Sequence, residues 1–260
     1  MPVAAEQTVR RTAREIFRGV EKNARDELRR STHALAFSGL AGGLTMGLTG
    51  IGVAVTYVSV GDVPARQFLS YLFYPIGFIA VIIGRAQLFT ENTLYPIALI
   101  LSERRHVMET ARLWTVVFFG NVLGAIGFAA LAIASDALTQ DVHDTLVRLG
   151  SQAAQGTNGH IFWSAVIGGW IIALVAWLVT ASHWTIGQIA VIWLLTFVVG
   201  AGHFAHCIAS TGEIMSAVIA GSVPFSRYLQ WLALATAGNV FGGVTIVTVL
   251  NFAQVHAGEG

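Results

Sequence analysis

Two polar segments interrupt apolar stretches that are each too short to cross a bilayer. The first comprises residues 84–92, and the second, 118 residues later, comprises residues 202–210. The flanking apolar runs are 68–83, 94–101, 186–199 and 214–220. Irregular backbone at membrane depth is stable only where protein or a water-filled cavity satisfies its N–H and C=O groups. Interruptions at matching positions of two halves therefore predict a transport site near the middle of the membrane.

Composition places the whole chain in the membrane. Charged residues make up 11% and hydrophobic residues 55%, with a mean hydropathy of +0.67. A soluble domain carries roughly 25% charged residues, so the sequence predicts an integral membrane protein. The 28 glycines fit close helix packing in lipid. The single Cys207 excludes a disulfide framework and a cysteine-based metal cluster.

The first 33 residues differ from the rest of the chain. Eight of the fifteen Lys and Arg residues precede residue 31, with acidic residues interspersed. Apolar residues recur there at steps of three and four, which predicts an amphipathic helix. We expect this arm to lie on the cytoplasmic face or against a neighbouring subunit. The alternation of charge disfavours binding to nucleic acid, and the absence of an apolar core argues against a signal peptide.

The apolar runs predict six membrane crossings, called spans one to six, within a membrane domain of residues 34–254. A cytoplasmic tail of residues 255–260 follows. Spans two and five contain the interruptions, and the other four are residues 34–60, 113–133, 161–180 and 228–252. Residues 135–159 are polar with little periodicity, so we expect a loop there.

The distribution of cations predicts the orientation. With the N-terminus inside, the cytoplasmic side holds the eight arm cations with Arg104, Arg105 and Arg112, whereas the outside holds Arg66, Arg148 and Arg227. Eleven cations against three favour cytoplasmic termini in an inner membrane.

The two halves of the sequence repeat. A Gly-Asn-x-x-Gly motif contains Asn121 in span three and recurs, again 118 residues later, with Asn239 in span six. We also pair Gly50 with Gly168, although spans one and four otherwise match poorly. Three crossings per half insert the halves in opposite senses, which predicts an inverted 3+3 repeat. Chance similarity of glycine-rich helices is the alternative, and one ungapped offset across two separate features disfavours it.

Taken together, these features resemble the formate/nitrite transporter family over residues 1–255. The resemblance rests on Leu88-Phe89-Thr90 in span two, on the His-x-x-Ala stretch that begins at His206 in span five, and on the repeated Gly-Asn-x-x-Gly motif. It implies an aquaporin-like, all-α fold and a homopentamer in which each protomer has its own pore. Family members move formate, nitrite, hydrosulfide, lactate and similar small monovalent anions or their acids.

The chain departs from the family pattern in two places. Ser210 stands where the family usually has Asn, and Gln188 stands where the family has a Lys that is thought to attract anions and to help protonate them. The Phe-Thr-Glu-Asn loop that ends with Glu91 and Asn92 resembles that of an outlying branch of the family. We place Asn92, with the rest of this loop, on the substrate pathway.

His206 is the central candidate for function. An imidazole in an apolar pore can donate a hydrogen bond to a small anion or pass it a proton. By resemblance, the Thr90 hydroxyl holds one ring nitrogen. The alternative is a structural histidine satisfied by backbone carbonyls. On a helix, His203 would share a face with His206; two ligands do not make a metal site, and a structural hydrogen bond is the favoured role of His203.

Arg85 and Glu91 place opposite charges in the first interruption. A charge at the bilayer centre costs at least about 2.5–3.5 kcal/mol unless it is compensated, so Arg85 needs a partner. One interpretation is a structural ion pair with Glu91 that braces the loop. The other is that Arg85 replaces the missing lysine as the cation that attracts an anion.

Four apolar residues are candidates for a constriction: Leu88 and Phe89 on one side, and Val199 and Phe204 on the other. An apolar ring resists hydrated or charged species and passes small neutral acids more readily. Packing is the alternative role for these side chains. We expect Asn121 and Asn239 to brace the loop backbone rather than to bind substrate.

The sequence thus predicts a channel or transporter for small monovalent anions or their conjugate acids, with proton coupling through His206. The alternative is a pore for a neutral or differently charged solute, because Gln188 replaces the lysine. A membrane enzyme is disfavoured, since the sequence contains no nucleophile motif, phosphate-binding loop or metal-ligand set; no cofactor is expected. A structural scaffold gives no reason for His206 and Arg85 at membrane depth.

Overall fold

The structure is a computed structural model that describes residues 10–257. Residues 1–9 of the predicted arm and 258–260 of the predicted tail lie outside this range. Within it the chain is helical, with no β-strand. The α-helices are α1 Ala13–Leu28, α2 Thr32–Met46, α3 Leu48–Val60, α4 Arg66–Tyr71, α5 Pro75–Ile83, α6 Tyr95–Glu103, α7 Val107–Ala134, α8 Gln140–Ala153, α9 Asn158–Ala181, α10 Thr185–Ala201, α11 Ala209–Ile219, α12 Phe225–Phe241 and α13 Leu250–His256.

Five helical stretches are long and apolar enough to cross a membrane: Thr32–Val60, Arg66–Ile83, Val107–Ala134, Asn158–Ala181 and Phe225–His256. Helix α10 is apolar but shorter, and it reaches the length of a crossing only together with α11. The count of six crossings, with spans two and five broken, therefore stays a prediction.

Two predicted spans contain local irregularities. Span one is two helices, α2 and α3, that meet at Gly47, where an added Cβ would lie 2.0 Å from the Phe128 ring. Span six continues from α12 into α13 through a π-helix, Gly242–Val249. A Cβ on Gly243 would lie 2.1 Å from the Thr93 hydroxyl, so this wider turn packs against the first interruption.

The predicted loop at residues 135–159 is wrong, because α8 occupies most of it. The buried residues of this helix are Val142, Thr145, Leu146, Leu149 and Gly150, at the steps of three and four that one face of a helix requires. That face packs against α3 and α11. The stripe mixes apolar residues with Thr and Gly, which concealed the periodicity.

The amphipathic arm forms α1, which lies along α6, α9 and α13 of its own protomer. Thr12 and Glu15 form a capping box at its N-terminus. Ile16, Phe17 and Val20 bury its apolar face in a cluster with residues of α6 and α9. The arm and α13 therefore share one end of the molecule, which we call the proximal end.

Ion pairs fasten the arm at Glu103, where α6 ends at the proximal surface. Arg25 contacts Glu103 Oε1 at 2.6 Å, and Arg105 and His106 contact Oε2 at 2.6 and 3.0 Å. Hydrogen bonds from Arg25, then Arg105 and His106, lower the pKa of the Glu103 carboxyl to about 2. The pKa of Glu103 is lower in the folded protein than in the unfolded chain. The contribution of these contacts to the stability of the fold is therefore complete at neutral pH, and it is lost as the pH falls from 4.5 towards 2.

Helix α2 packs most extensively on α7, and α9 on α12. In both pairs a glycine lies against the asparagine of the repeated motif. A Cβ on Gly43 would lie 2.0 Å from the Asn121 carbonyl oxygen, and a Cβ on Gly169 would lie 2.2 Å from that of Asn239. Only a residue without a side chain permits this backbone approach.

These contacts correct the pairing of Gly50 with Gly168. Gly42 and Gly168 both lie against the interrupted backbone and the asparagine amide. Spans one and four are therefore related by 126 residues, whereas the later spans are related by 118. The first half has eight extra residues between its first span and its interruption, so one ungapped offset could not align both regions.

We expect Gly43→Ala to destabilise the protein by about 1–3 kcal/mol, because the added methyl group forces α2 away from α7. Thermal unfolding of the purified protein in detergent measures the change. Gly159→Ala is the matched control, because no atom lies within 4 Å of its Cβ position. Equal melting temperatures for the two variants would contradict the close packing.

Candidate functional site

Both interruptions end their helices with the same turn. The second residue after α5 is Arg85, with φ +59°, and the second after α10 is His203, with φ +53°. In each turn the N–H of the next residue donates to the carbonyl five residues earlier, at 3.0 Å. Non-glycine residues are uncommon in this left-handed region. Their recurrence 118 residues apart extends the internal repeat to backbone conformation.

Asn121 from α7 satisfies the backbone of the first interruption. Its Oδ1 accepts a hydrogen bond from the Phe89 N–H at 2.8 Å, and its Nδ2 donates to the carbonyls of Gln87 and Gly39 at 2.8 and 2.7 Å. Asn121 is fully buried. One amide thus replaces the helical hydrogen bonds that the chain lacks here.

Asn239 from α12 does the same for the second interruption. Its Oδ1 accepts from the Cys207 N–H at 2.8 Å, and its Nδ2 donates to the carbonyls of Ala205 and Ala165 at 2.9 and 2.7 Å. Both asparagines brace backbone, as we expected from the motif.

His206 and Thr90 join the two interruptions. His206 Nε2 lies 2.8 Å from Thr90 Oγ1, and both residues are fully buried. His206 Nδ1 accepts a hydrogen bond from the Ala209 N–H at 3.0 Å, so in the neutral ring Nε2 carries the proton and donates to Thr90. The Thr90 hydroxyl proton is then free to donate further. The Phe78 ring packs against the imidazole at 5.1 Å.

Two cavities approach this contact from opposite ends of the molecule. The proximal vestibule, of about 90 Å³, is lined by Asn23, Glu27, Ile82, Ile83, Arg85, Ala86, Gln87, Leu88, Glu91, Asn92, Tyr95, Val179 and Gln188. The distal vestibule, of about 350 Å³, includes Tyr71, Tyr74, His160, Val199, His203, Phe204, Ser210, Glu213 and Trp231. His206 and Thr90 belong to neither lining, so their contact is enclosed between the two cavities.

The candidate constriction residues divide between the vestibules. Leu88 borders the proximal vestibule, and Val199 and Phe204 border the distal one. Phe89 lines neither cavity and instead packs edge-on against Trp114 and Phe118, with ring centroids 5.7 and 5.1 Å apart. This placement favours the packing role for Phe89.

The predicted ion pair between Arg85 and Glu91 does not form. None of the ion pairs within residues 10–257 joins Arg85 to Glu91. The left-handed turn leaves Arg85 exposed, whereas Glu91 is buried in the short 3₁₀ turn Glu91–Thr93. Both side chains line the proximal vestibule, so the cation and the carboxylate face the same space without pairing.

A hydrogen-bonded chain from the arm reaches the proximal vestibule. Gln87 Nε2 donates to Glu27 Oε2 at 2.6 Å, and Asn92 Nδ2 donates to Gln87 Oε1 at 2.9 Å. Gln188 Nε2 donates to the carbonyls of Val179 and Ser182 at 3.3 and 3.4 Å. Sequence reasoning missed Glu27, because its place on the polar face of an amphipathic helix suggests a solvated side chain.

The expectation that His203 shares a helix face with His206 is wrong, because His203 is the left-handed residue of the turn. Its ring contacts the Tyr71 hydroxyl at 3.2 Å and the Gln67 amide at 3.3 Å, while His206 bonds to Thr90. These contacts fit the hydrogen-bonding role we favoured. Within residues 10–257, no group of three or more candidate ligands could hold a metal ion.

Glu213 and Ser210 also escaped the sequence analysis as site residues. Both lie on α11 and line the distal vestibule. An acidic residue within an apolar span was the available signal for Glu213, because intramembrane ionisable residues usually mark a functional pathway.

Asn239→Ala should destabilise the protein, because it removes three hydrogen bonds and leaves buried backbone groups unsatisfied at about 1–3 kcal/mol each. Thermal unfolding in detergent measures the loss, with the exposed Asn158→Ala as the control. A melting temperature equal to that of the control would show that the amide is not needed to hold the interruption.

Comparison with known proteins gives concordant matches. The family model described as Formate/nitrite transporter matches residues 14–253. The Inner membrane protein YfdC of Escherichia coli (strain K12) is 33% identical over 245 residues, covering 93% of this chain and 78% of the relative. The Probable formate transporter of Methanothermobacter thermautotrophicus is 30% identical over 194 residues, covering 68% and 71%.

Two solved structures share the fold. A structure titled FNT family ion channel superposes with a TM-score of 0.78 at 15% identity, covering 92% of this chain and 98% of its own. A structure titled Pentameric formate channel with formate bound superposes with a TM-score of 0.70 at 19% identity, covering 90% and 98%. The predicted all-α membrane-protein fold is therefore confirmed.

Proposed function

Because the chain belongs to the formate/nitrite transporter family, we propose that it passes small monovalent anions across a membrane as their neutral acids, with proton coupling through His206. One observation carries the proposal. The two interrupted segments meet in a single buried contact, between Thr90 and His206, with a vestibule on either side.

The chemistry follows from the environment of that contact. A charged solute in an apolar passage loses its hydration, and the loss disfavours the anion far more than its conjugate acid. His206 and the free Thr90 hydroxyl proton offer polar groups at the one point where a small acid must cross. Formate is the reference substrate, because it is named for a relative and for a solved structure of the same fold.

The assembly and location belong to the same proposal. A homopentamer with one pore per protomer is supported by the solved structure whose title describes a pentamer. Large apolar side chains on the protomer surface, among them Phe37, Met108 and Ile186, are 71, 78 and 74% exposed and suit lipid or a neighbouring subunit. We place the proximal end, with both termini, in the cytoplasm of a cell with an inner membrane.

A second candidate is a pore for a neutral or otherwise charged solute. Glu27 and Glu91 line the proximal vestibule beside Arg85, and Gln188 stands in place of the family lysine. Carboxylates at the mouth of an anion pore disfavour its substrate, so this observation supports the alternative. Uptake limited to uncharged solutes would decide for it.

Replacing His206 with Phe should abolish formate flux, because the side chain then has no group that exchanges protons. Proteoliposomes loaded with a pH indicator measure formate-driven proton uptake, which in the wild type should rise as the outside becomes more acidic. His33→Phe is the matched control, because His33 is exposed and lines neither vestibule. Wild-type kinetics in an assembled His206→Phe pentamer would contradict the role of the imidazole.

Arg85→Gln tests whether this cation attracts the anion. The guanidinium lines the proximal vestibule without pairing with Glu91, so its loss should raise the KM for formate and lower the flux about tenfold at low ionic strength. Exposed Arg29→Gln controls for the change in net charge. Unchanged flux in an assembled Arg85→Gln pentamer would remove the idea.

A further inference from the structure

Glu213 is an acidic side chain that the proposed pathway leaves unexplained. It lies in α11 and borders the distal vestibule three residues after Ser210, which lines the same cavity. Residues at this spacing share a helix face. The Glu213 side chain is partly buried, and within residues 10–257 its carboxyl forms no hydrogen bond or ion pair.

The surrounding helices leave space for this side chain. A Cβ on Gly50 of α3 would lie 3.1 Å from Glu213 Cγ and 3.6 Å from Oε1. A Cβ on Gly150 of α8 would lie 1.9 Å from the Glu213 carbonyl oxygen. Gly50 therefore leaves room for the Glu213 side chain beside the cavity, and Gly150 lets α8 approach the backbone of α11 at the same residue.

Few other charges face Glu213. The titratable groups of the distal vestibule are Tyr71, Tyr74, His160 and His203. Among the helices that pack on α11, the groups nearest this end are Arg148 of α8, Tyr57 of α3, and Arg227 and Tyr228 of α12. The titratable residues of α2 and α7 are in the first two turns of those helices, at the proximal end.

The two arginines are engaged elsewhere. Arg148 lies over the Tyr57 ring, 4.2 Å from its centroid, and donates to the Tyr57 hydroxyl at 3.1 Å. Arg227 donates to the carbonyls of Ala154 and Gly156. An anion in this cavity therefore meets a carboxyl group with no cation paired to it.

We propose that Glu213 protonates anions that enter from the distal side while Ser210 holds them, a role that rests on the proposed function. The O–H bond of the Glu213 carboxylic acid breaks, and an O–H bond forms on an oxygen of the anion. The neutral acid moves on towards His206. The Glu213 carboxylate then takes a proton from water in the vestibule, so each cycle moves one proton with one anion.

This assignment gives a role to the one acidic residue that residues 10–257 contribute to the lining of the distal vestibule. A protonated Glu213 donates a hydrogen bond to the anion, whereas an ionised Glu213 repels it. An anion therefore enters from the distal side only while the Glu213 carboxyl is protonated. A general acid must lie within hydrogen-bonding reach of its substrate, and the Ser210 hydroxyl on the same face can position the anion there.

The test uses the full-length protein in proteoliposomes, with formate added outside and a pH indicator inside. Glu213→Gln keeps the shape and a hydrogen-bond donor but has no proton to transfer. We expect proton-coupled formate uptake to fall about tenfold or more and to lose its increase at acidic pH. Glu213→Asp should retain the pH profile. Because the transfer is reversible, both orientations in the liposome depend on Glu213.

Two controls separate this role from a structural one. Glu109→Gln removes a carboxyl that is 51% exposed at the proximal end and should leave both the rate and the pH profile unchanged. Size-exclusion chromatography checks that every variant assembles. Should Glu213→Gln fail to assemble, Glu213→Asp decides: a slower but still proton-coupled uptake supports the proposal, and an unchanged rate overturns it.

The outcomes distinguish this inference from the proposed function. If wild-type protein moves no formate with protons, the proposed function fails and takes the role of Glu213 with it. If wild-type protein does so and Glu213→Gln keeps the same rate and pH profile, only the role of Glu213 is overturned. If formate uptake loses its pH dependence in Glu213→Gln and keeps it in Glu109→Gln, the result supports the role of Glu213.

Discussion

The structure depends on satisfying the backbone of the two segments that interrupt its apolar helices. Residues 85–90 and 203–208 lie between helices and lack regular helical hydrogen bonds, and each unsatisfied group would cost several kcal/mol in lipid. Asn121 and Asn239 supply three hydrogen bonds apiece to these segments or to the helix beside them. Glycines on the facing helices let the asparagines approach. This bracing permits the two interruptions to meet in the interior of the molecule.

The two interruptions form the candidate site where they meet. Each half contributes one side chain to the buried contact, Thr90 from the first and His206 from the second. The residues around it are not symmetric: an arm carboxylate, Glu27, reaches the proximal vestibule, while Glu213 borders the distal one. The internal repeat thus gives the two halves the same backbone structure. Glu27 and Glu213, which do not follow the repeat, give the two vestibules different charged groups.

The sequence predicted the helical class, the interruptions and the bracing by the asparagine motif, because glycine and intramembrane polar residues carry strong constraints. The pairing of Thr90 with His206 was expected from the resemblance to the family. Sequence reasoning missed α8, whose buried stripe includes Thr145 and Gly150. It also paired Gly50 rather than Gly42 with Gly168, because eight additional residues in the first half shift the offset. The predicted ion pair between Arg85 and Glu91 is absent because Arg85 adopts a left-handed turn, which helix propensities do not predict.

Thiol accessibility tests most directly whether the buried contact separates two vestibules. The native Cys207 is buried and is replaced by Ala. Single cysteines at Asn92, Thr90 and Ser210 are then exposed to a membrane-impermeant reagent from each side. The account predicts that Asn92→Cys reacts only from the proximal side, Ser210→Cys only from the distal side, and Thr90→Cys from neither. Labelling of Thr90→Cys at the rate of the other two, or of one position from both sides, would contradict it.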